Sequence, residues 1–580
     1  MTNKRKHLID AFRGGNLIVT AYELSHGSEE NRNTISALLS DLHNKGDLDL
    51  IEAYSRLKMN ESGGVDFFLA RQLFENALPT LSAPVEEVMA CVQHLAREAG
   101  YDLAANSVFE PFIGYLLADK TRVSQALAAI KDSPNKWSGF VCPVLLAGAQ
   151  EDIEDYFGHA VDLTSHEISD VCINAVYALG KISYPDTSLL PEQAIELVEK
   201  IALEEHDDGV MGVVIKTASS LARLDDSLVE KARNAMLNAL KNGSDQALHA
   251  ASEEFGFHSN VLPDRILDLI ISSFPRVKSE NRGSIKNIDF GISRLLKKGD
   301  YDRSIECLET VLQSNAEELN VKIFNSVINE ILTGDPNNLS KLLTRWFYKG
   351  DRVFCTAVTD IIGHIHGNQI SLEIDVEGLP DTDPFTLIFI ARKAIGYLFF
   401  NPITVVSIII SLLRSTKEGK AMKDLEELLL NPVLFNYPGA ARQFLADRIP
   451  KESKPVATII KSALNRLDDY QDNLRHIGEI PELHPTLLQR EASSRKFSQE
   501  MSESYKQAMK GSIVELIATK SVLLYGRTSV NYIQQGPSDA TRMEIPMKKH
   551  SVEMDFPMRH NLDPFGVDYM LRVFRAETLV

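Results

Sequence analysis

Most of the chain repeats apolar and polar residues with the period of an amphipathic α-helix. In SAPVEEVMACVQHLAREAG, residues 82–100, apolar side chains recur every three or four residues from Val85 to Leu95, and Gly100 follows them. Isolated helices of this length are marginal, because nucleation is unfavourable and packing supplies most of their stability. The pattern therefore predicts a mainly helical chain in which each helix packs against a neighbour.

A second stretch, SLVEKARNAMLNALKNG, repeats the scheme over residues 227–243. Ser227 and Glu230 have the spacing of a capping box, and Asn242 and Gly243 end the apolar pattern. We expect Ser227 to cap this helix.

A small residue recurs among large apolar ones along the first half of the chain. In VCINAVYALGKI, residues 171–182, it is Gly180, and comparable stretches place Gly148, Ala222 and Gly256 at the same position, 32 to 42 residues apart. Small residues let the backbones of packed helices approach, while the large ones fill the space between them. The recurrence predicts a stack of helical hairpins.

The stretch DVCINAVYALGKI, residues 170–182, resembles the second helix of a HEAT repeat, with Cys172 where the family commonly has arginine. The resemblance covers residues 136–257. It implies a mainly α fold, an α-solenoid of HEAT-like helical hairpins. It also implies an elongated surface that binds protein partners and needs no cofactor.

The patterns divide the chain into four parts. They are an N-terminal helical region (1–135), acidic HEAT-like repeats (136–260), a second helical block with an apolar helix pair (261–485) and a small C-terminal α+β module (486–580). Alternating apolar residues predict short strands at 541–547 and 550–558, and a short strand or extended linker within 370–384.

The apolar pair lies at residues 385–413. Arg392, Lys393 and the Asn401-Pro402 step divide it into pieces shorter than the roughly 20 residues of a membrane span, so we expect two buried helices and no membrane contact. The N-terminus lacks the apolar core of a signal peptide. Five cysteines lie far apart and form no CxxC pair. Together these features predict a cytoplasmic protein.

The net charge of −19 is concentrated in one segment, since residues 151–260 contain 7 basic and 21 acidic residues. Their acidic side chains fall at predicted turns. We expect one continuous acidic edge that attracts a partner with a basic surface; the alternative is a face that only keeps the chain in solution. The candidate partner-binding residues are Glu204, Glu205, Asp207, Asp208, Asp225 and Asp226.

A nucleic-acid site near the C-terminus is a second hypothesis. Basic residues there are interspersed with aromatic ones, although residues 486–580 contain 13 basic against 11 acidic residues, a small excess for tracking phosphates. The candidates are Arg490, Arg495, Lys496, Arg527, Lys548 and Lys549.

Motifs for common chemistry are missing from the sequence. It contains no GxxxxGK[ST], HExxH or GxSxG motif, and we expect structural roles for His364, His366 and the EEHDD turn at residues 204–208. We therefore expect no catalytic residue, metal or cofactor. The predicted function is a non-catalytic scaffold or adaptor for protein partners in a larger complex. The alternatives are a nucleic-acid-engaging subunit of such a complex and an unrecognised enzyme.

Overall fold

The structure is a computed structural model. It describes residues 2–59, 64–100, 102, 104–204, 207–363, 370–478, 485–509, 518–524, 528–533, 541–546, 557–559 and 563–579. The chain forms two compact units, Met1–Asp335 and Pro336–Val580. The four-part division of the sequence stays a prediction.

The first unit is built from α-helices joined by short turns and 3-10 helices. They are α1 (Thr2–Arg13), α2 (Leu17–Ser25), α3 (Glu29–Asn44), α4 (Leu50–Tyr54), α5 (Phe67–Ala77), α6 (Val85–Glu98), α7 (Phe109–Leu117), α8 (Lys120–Asp132), α9 (Pro134–Trp137), α10 (Val141–Glu151), α11 (Ile153–Thr164), α12 (Ser169–Leu179), α13 (Leu190–Leu203), α14 (Asp208–Ala222), α15 (Val229–Asn242), α16 (Asp245–His258), α17 (Asp264–Ser273), α18 (Arg282–Lys297), α19 (Tyr301–Ser314) and α20 (Asn325–Thr333).

From α10 onward these helices form two layers. In the even layer, α10, α12, α14, α16, α18 and α20 each contact the next one; in the odd layer, α13 contacts α15 and α15 contacts α17. Successive helices are joined by turns and reverse direction, so the even-layer helices run parallel. The turns before these helices form the amino edge of the layer, and the turns after them form the carboxyl edge. The predicted α-solenoid of stacked helical hairpins is confirmed.

The recurring small residues mark close contacts between helices. A Cβ at Gly180 would lie 3.0 Å from the Cα of Thr217 on α14, and a Cβ at Gly256 would lie 2.8 Å from the carbonyl oxygen of Asn287 on α18. The Thr217 hydroxyl also donates to the Val176 carbonyl across the same contact, at 2.9 Å. Larger residues at these glycines would push neighbouring repeats apart.

The second unit is also mainly helical. Its helices are α21 (Pro336–Lys349), α22 (Arg352–Gly363), α23 (Pro384–Leu398), α24 (Pro402–Ser415), α25 (Gly419–Leu428), α26 (Ala440–Arg448), α27 (Lys454–Ile477), α28 (Leu487–Met509) and α29 (Pro564–Ala576). The strands β1 (Ala518–Leu524), β2 (Thr528–Ile533) and β3 (Thr541–Pro546) form an antiparallel sheet in that order. The strand near 541–547 is thus present through Pro546, and residues 550–556 of the one expected at 550–558 lie outside the described residues.

In the segment predicted as a strand or extended linker, residues 370–375 form a linker without a paired strand, and Val376–Gly378 form a 3-10 helix. The amide of Leu372 donates to the Ser407 hydroxyl and that of Ile374 to the Ser411 hydroxyl, both at 2.9 Å. Both hydroxyls belong to α24, so a helix satisfies the alternate backbone groups that a neighbouring strand would otherwise pair.

The apolar helices α23 and α24 are buried, as expected. Helix α29 packs against α23, where the fully buried Lys393 donates to the Arg575 carbonyl at 2.7 Å. The positive charge of this lysine lies at the carboxyl end of α29, where the negative end of the helix dipole stabilises it. Across the described ranges, no helix combines the length and the apolar character needed to cross a membrane.

Candidate binding groove on the even layer

The exposed side of the even layer contains a groove of about 980 Å³. Residues from α12, α14, α16 and α18 line it, including Tyr177, Lys216, Gln246, His249, Glu253 and Arg282. Along α16 the lining residues are three or four positions apart, which places them on one face of that helix. The groove therefore spans four consecutive repeats.

Polar side chains connect three helices across the groove. The Lys216 ammonium lies 2.6 Å from the Glu253 carboxylate, and His249 lies 3.6 Å from the same carboxylate and 3.1 Å from the Ser284 hydroxyl. Glu253 thus has a cationic partner. These contacts fix the side chains that a ligand in the groove would meet.

Glycines keep the groove open. A Cβ at Gly212 would lie 3.3 Å from the Gln246 carbonyl oxygen, and a Cβ at Gly283 would lie 3.3 Å from the His249 ring. Side chains at these positions would press on α16 or fill the groove.

The helix faces that line the groove also carry aromatic and basic side chains closer to the carboxyl edge. Phe257 on α16 and Phe290 on α18 are 53% and 43% exposed, and their ring centroids are 5.8 Å apart. The Arg294 guanidinium lies 5.7 Å from the Phe290 centroid, and Lys181 lies 5.3 Å from that of Tyr177. Sequence reasoning missed these residues. The available signal was an aromatic residue outside the apolar stripe of its helix.

Two of the predicted partner-binding residues cap helices. Asp207 accepts from the Val210 amide at 3.0 Å and from the Ser169 hydroxyl of the preceding repeat. Asp208 accepts from Ser244 and Gln246 at the start of α16, at 2.5 to 2.8 Å. Burial raises the pKa of Asp208, but these hydrogen bonds outweigh it and hold the pKa below its usual value.

The remaining predicted acidic residues differ in their surroundings. Asp225 accepts from the Ser227 amide at 2.7 Å, which lowers the pKa of Asp225. It caps the turn before α15, so the prediction that Ser227 caps this helix is wrong. Asp226 and Glu204 are exposed, and Glu205 lies outside the described residues.

These acidic residues do not lie along one edge, contrary to our expectation. Glu204, Asp207 and Asp208 lie before or at the start of α14, whereas Asp225 and Asp226 lie after its end. A helix of that length separates its ends by roughly 20 Å. The first group is on the amino edge and the second on the carboxyl edge. The expectation was wrong because the sequence pattern does not show that the chain reverses direction at each hairpin, which places alternate turns on opposite edges.

Acidic residues of the odd layer form ion pairs with basic residues of the following repeat. Lys231 on α15 lies 2.8 Å from Glu192 and 2.7 Å from Glu196 on α13. Arg265 on α17 contacts Glu230 on α15 in the same way. Part of the acidic charge of residues 151–260 is thus balanced between neighbouring repeats.

The predicted nucleic-acid residues are only partly described. Arg490, Arg495 and Lys496 are exposed on α28, where Arg495 lies 3.3 Å from Glu491 and Lys496 lies 3.8 Å from Glu500. Arg527, Lys548 and Lys549 lie outside the described residues. The three described candidates, Arg490, Arg495 and Lys496, all lie on this one helix.

The remaining candidates for metal or thiol chemistry are histidines and cysteines. Among the described residues no group of His, Cys, Asp and Glu could hold a metal ion; His206, His364 and His366 lie outside them. All five cysteines are buried free thiols. Burial raises the pKa of Cys172 to about 11 and that of Cys355 to about 12, which disfavours the reactive thiolate.

No protein-family model and no curated protein matches the chain. Several solved structures are similar at low identity. The APUM23 structure with its insert region deleted and the sequence GGAAUUGACGG is 11% identical, with a TM-score of 0.25 over 80% of this chain and 98% of that one. A Pds5–Scc1 complex structure is 11% identical, with a TM-score of 0.20 over 82% and 85%. A circular tandem repeat protein is 12% identical, with a TM-score of 0.17 over 82% and 100%. TM-scores this low support no argument about function.

Proposed function

We propose that the chain is a non-catalytic scaffold or adaptor that binds protein partners along its even layer. The observation that supports this proposal is the groove across α12, α14, α16 and α18. Four consecutive repeats contribute to it, so one bound segment would contact several hairpins at once. Stacked repeats commonly use such extended surfaces for binding.

The composition of the groove also favours a protein ligand. Tyr177 and Gln246 offer an aromatic surface and an amide, and the pair of Lys216 and Glu253 is already fixed in position. Aromatic residues next to positioned polar groups are typical of the energetically important part of protein interfaces.

Affinity capture with mass spectrometry tests this proposal. The groove variant Tyr177→Ala/Gln246→Trp removes an aromatic contact and fills space, and we expect it to lose partners that the wild-type chain recovers. The matched control is Leu237→Ala/Asn234→Trp on exposed positions of α15 in the odd layer. Loss of the same partners by the control, with retention by the groove variant, would refute the proposal.

A second contact with a basic partner surface is proposed at the acidic turns. Glu204, Asp207, Asp225 and Asp226 are exposed, but Asp207 and Asp225, like Asp208, also cap helices, so Glu204 and Asp226, on different edges, are the candidates for this contact. If Asp226 steers a partner, Asp226→Lys should slow association at low salt and have little effect at high salt. Equal association rates for wild type and variant at low salt would leave this edge with a solubilising role.

We also propose that the chain works in the cytoplasm as part of a multi-protein complex. Its five cysteines are free thiols, which suits a reducing compartment. Fractionation and native size analysis of the tagged chain test both points. Recovery from an exported fraction would contradict the first, and a free chain without partners would contradict the second.

A nucleic-acid-engaging subunit is the alternative function. Arg490, Arg495 and Lys496 support it because they are exposed on α28. Salt-titrated binding to DNA and RNA separates the two functions, since contacts with phosphates give a steep loss of affinity with salt. Tight, salt-sensitive binding that Arg490→Glu/Lys496→Glu abolishes would favour the alternative.

A further inference from the structure

We propose that the part of the even layer nearest the carboxyl edge binds an acidic, aromatic-containing segment of a partner protein. We call this surface the aromatic-basic strip; it consists of Lys181, Arg223, Leu224, Phe257, Phe290 and Arg294. This inference rests on the proposed binding function and specifies the chemistry of one partner. That chemistry is opposite to the basic partner expected from the net charge.

Charge on the repeats is segregated by face. Residues 151–260 contain only 7 basic residues, and three of them, Lys181, Lys216 and Arg223, lie on the exposed face of the even layer. In α18 the same face adds Lys286 and Arg294. The acidic residues that line the groove are paired: Glu253 lies 2.6 Å from Lys216, and Asp245 and Glu280 lie 3.5 and 3.9 Å from Lys278. The face is therefore more basic than the segment that builds it.

The basic groups of the strip are positioned by their neighbours. Arg294 donates through Nη1 to the carbonyls of Gly256 and Phe257, at 3.2 and 2.7 Å, and its guanidinium lies near the Phe290 ring. Arg223 donates through Nη2 to the Ser220 hydroxyl at 3.0 Å. A guanidinium has five N–H donors, so each can hold this position and still bind a carboxylate.

Apolar side chains lie between these cations. Phe257, Phe290 and Leu224 are 53%, 43% and 55% exposed. Exposure of an aromatic surface to water is unfavourable. Aromatic surface beside an arginine is typical of binding sites. A segment with a carboxylate next to an aromatic or aliphatic side chain would satisfy both features.

The surroundings favour a peptide over a nucleic acid. Asp225 and Asp226 lie on the carboxyl edge next to Leu224, and the chain has a net charge of −19. A continuous phosphate backbone would meet these carboxylates, whereas a peptide can place its few acidic groups against the basic ones.

The test uses the full chain and a random phage-displayed library of 12-residue peptides. Selection on the wild-type chain should enrich peptides that combine Asp or Glu with Phe, Tyr, Trp or Leu. Enrichment of basic or uncharged peptides, or no enrichment, overturns the inference.

Enriched peptides are then measured by fluorescence anisotropy against two variants. Lys181→Glu/Arg223→Glu and Phe257→Ser/Phe290→Ser should each weaken binding by about tenfold or more, as expected for charge reversal or removal of central aromatic contacts. The control Lys200→Glu/Lys241→Glu makes the same charge change at exposed positions of the odd layer and should bind like the wild type. Circular dichroism verifies that all variants are folded.

Three outcomes separate this inference from the proposed function. Equal weakening by control and strip variants overturns the inference, because the effect is then one of net charge. Tighter binding of a 12-nucleotide uridine RNA than of any selected peptide, lost in the strip variants, overturns it in favour of nucleic acid. If partner capture depends on Tyr177 and Gln246 while peptide selection fails, the scaffold stands and the acidic ligand does not.

Discussion

Asp208 and Arg294 bind opposite ends of one helix, α16, from the helices on either side of it. Asp208 on α14 accepts from the Ser244 and Gln246 amides at the amino end, and Arg294 on α18 donates to the Gly256 and Phe257 carbonyls at the carboxyl end. The signs match the helix dipole, with an anion at the amino end and a cation at the carboxyl end. The neighbouring helices thus provide the hydrogen-bonding side chains at both ends of α16.

The Asp208 cap should be measurable as stability. Asp208→Ala leaves the first amides of α16 without this acceptor, and we expect a loss of about 1 kcal/mol in the free energy of unfolding. Urea denaturation of the full chain measures it. Asp226→Ala is the control, because Asp226 is exposed, and it should change stability by less than about 0.5 kcal/mol. Equal effects would contradict the assigned cap.

The same carboxylate predicts a dependence on pH. The pKa of Asp208 is lowered in the folded chain, so its contribution is fully present above the unfolded value of about 3.9 and is lost as pH falls through the lower folded value. Wild type should therefore lose stability faster than Asp208→Ala once the solution is acidified below about pH 3.9. Parallel losses would show that the carboxylate makes no such contribution.

Gly180 tests the contact between α12 and α14. A Cβ there would lie 3.0 Å from the Thr217 backbone, so Gly180→Leu should overpack the layer and cost on the order of 1 to 3 kcal/mol in denaturation experiments. Gly158→Leu on α11 is the matched control, because nothing lies within 4 Å of its Cβ position. An unchanged midpoint for Gly180→Leu would mean that this face does not pack.

Single residues were predictable only where their role was local or repeated. Gly180 and Gly256 were found because a small residue recurs at these positions, at intervals of 32 to 42 residues. The role of Asp208 was not found, since its partner Gln246 is 38 residues away and capping motifs are recognised within one helical turn. Local spacing predicts Ser227 as the cap of α15, whereas Asp225, two residues earlier, caps the 3-10 turn Asp226–Leu228 that leads into this helix.

At the scale of elements, α24 combines an apolar surface with a row of hydroxyls. Thr404, Ser407 and Ser411 are all buried, and they bond to successive alternate residues of the extended segment at 370–374. The linker therefore needs no neighbouring strand. Its backbone is satisfied by side chains one helical turn apart.

Removal of one of these hydroxyls should loosen the linker. Ser411→Ala leaves the buried Ile374 amide without its acceptor, which costs about 1 to 3 kcal/mol for an unsatisfied group. Hydrogen exchange at residues 370–376 should accelerate. The control Ser415→Ala removes a hydroxyl that bonds to its own helix, at Ser411, and should leave exchange of the linker unchanged. The same exchange rate in both variants would contradict this account.

Helices were easier to predict from sequence than strands and linkers. Residues 82–100 gave α6 because helical periodicity is set within the element itself. Residues 370–376 carried the alternation of a strand, but alternation reports only which side chains are buried. The group that satisfies the backbone belongs to another element, α24, and no local pattern specifies it.

At the scale of the whole molecule, net charge and surface charge point in different directions. The chain carries −19, and residues 151–260 are its most acidic part. Part of that acidity is paired within the odd layer, as between Lys231 and Glu196 at 2.7 Å, or caps helix ends, as at Asp208. The even-layer face retains Lys181 and Arg223 beside exposed aromatic rings.

The fold was predictable from sequence, but the candidate binding surface was not. The repeat signal at Gly180 reports how helices stack and so identifies the solenoid. Phe255 and Phe257 show the limit, since they are two residues apart on α16 and only Phe257 is exposed. Which flank of a helix the next repeat covers depends on the stacking geometry, which a single sequence does not specify.

The central claim is that partners bind the even layer. Site-specific photo-cross-linking in cells tests it directly, with benzoylphenylalanine placed at Tyr177 in the groove, at Phe290 on the aromatic-basic strip or at Leu237 on the odd layer. The account predicts discrete protein adducts from Tyr177 and Phe290 and none from Leu237, although the side chains of Leu237 and Phe290 are both 43% exposed. Adducts from Leu237 with none from Tyr177 or Phe290 would contradict it.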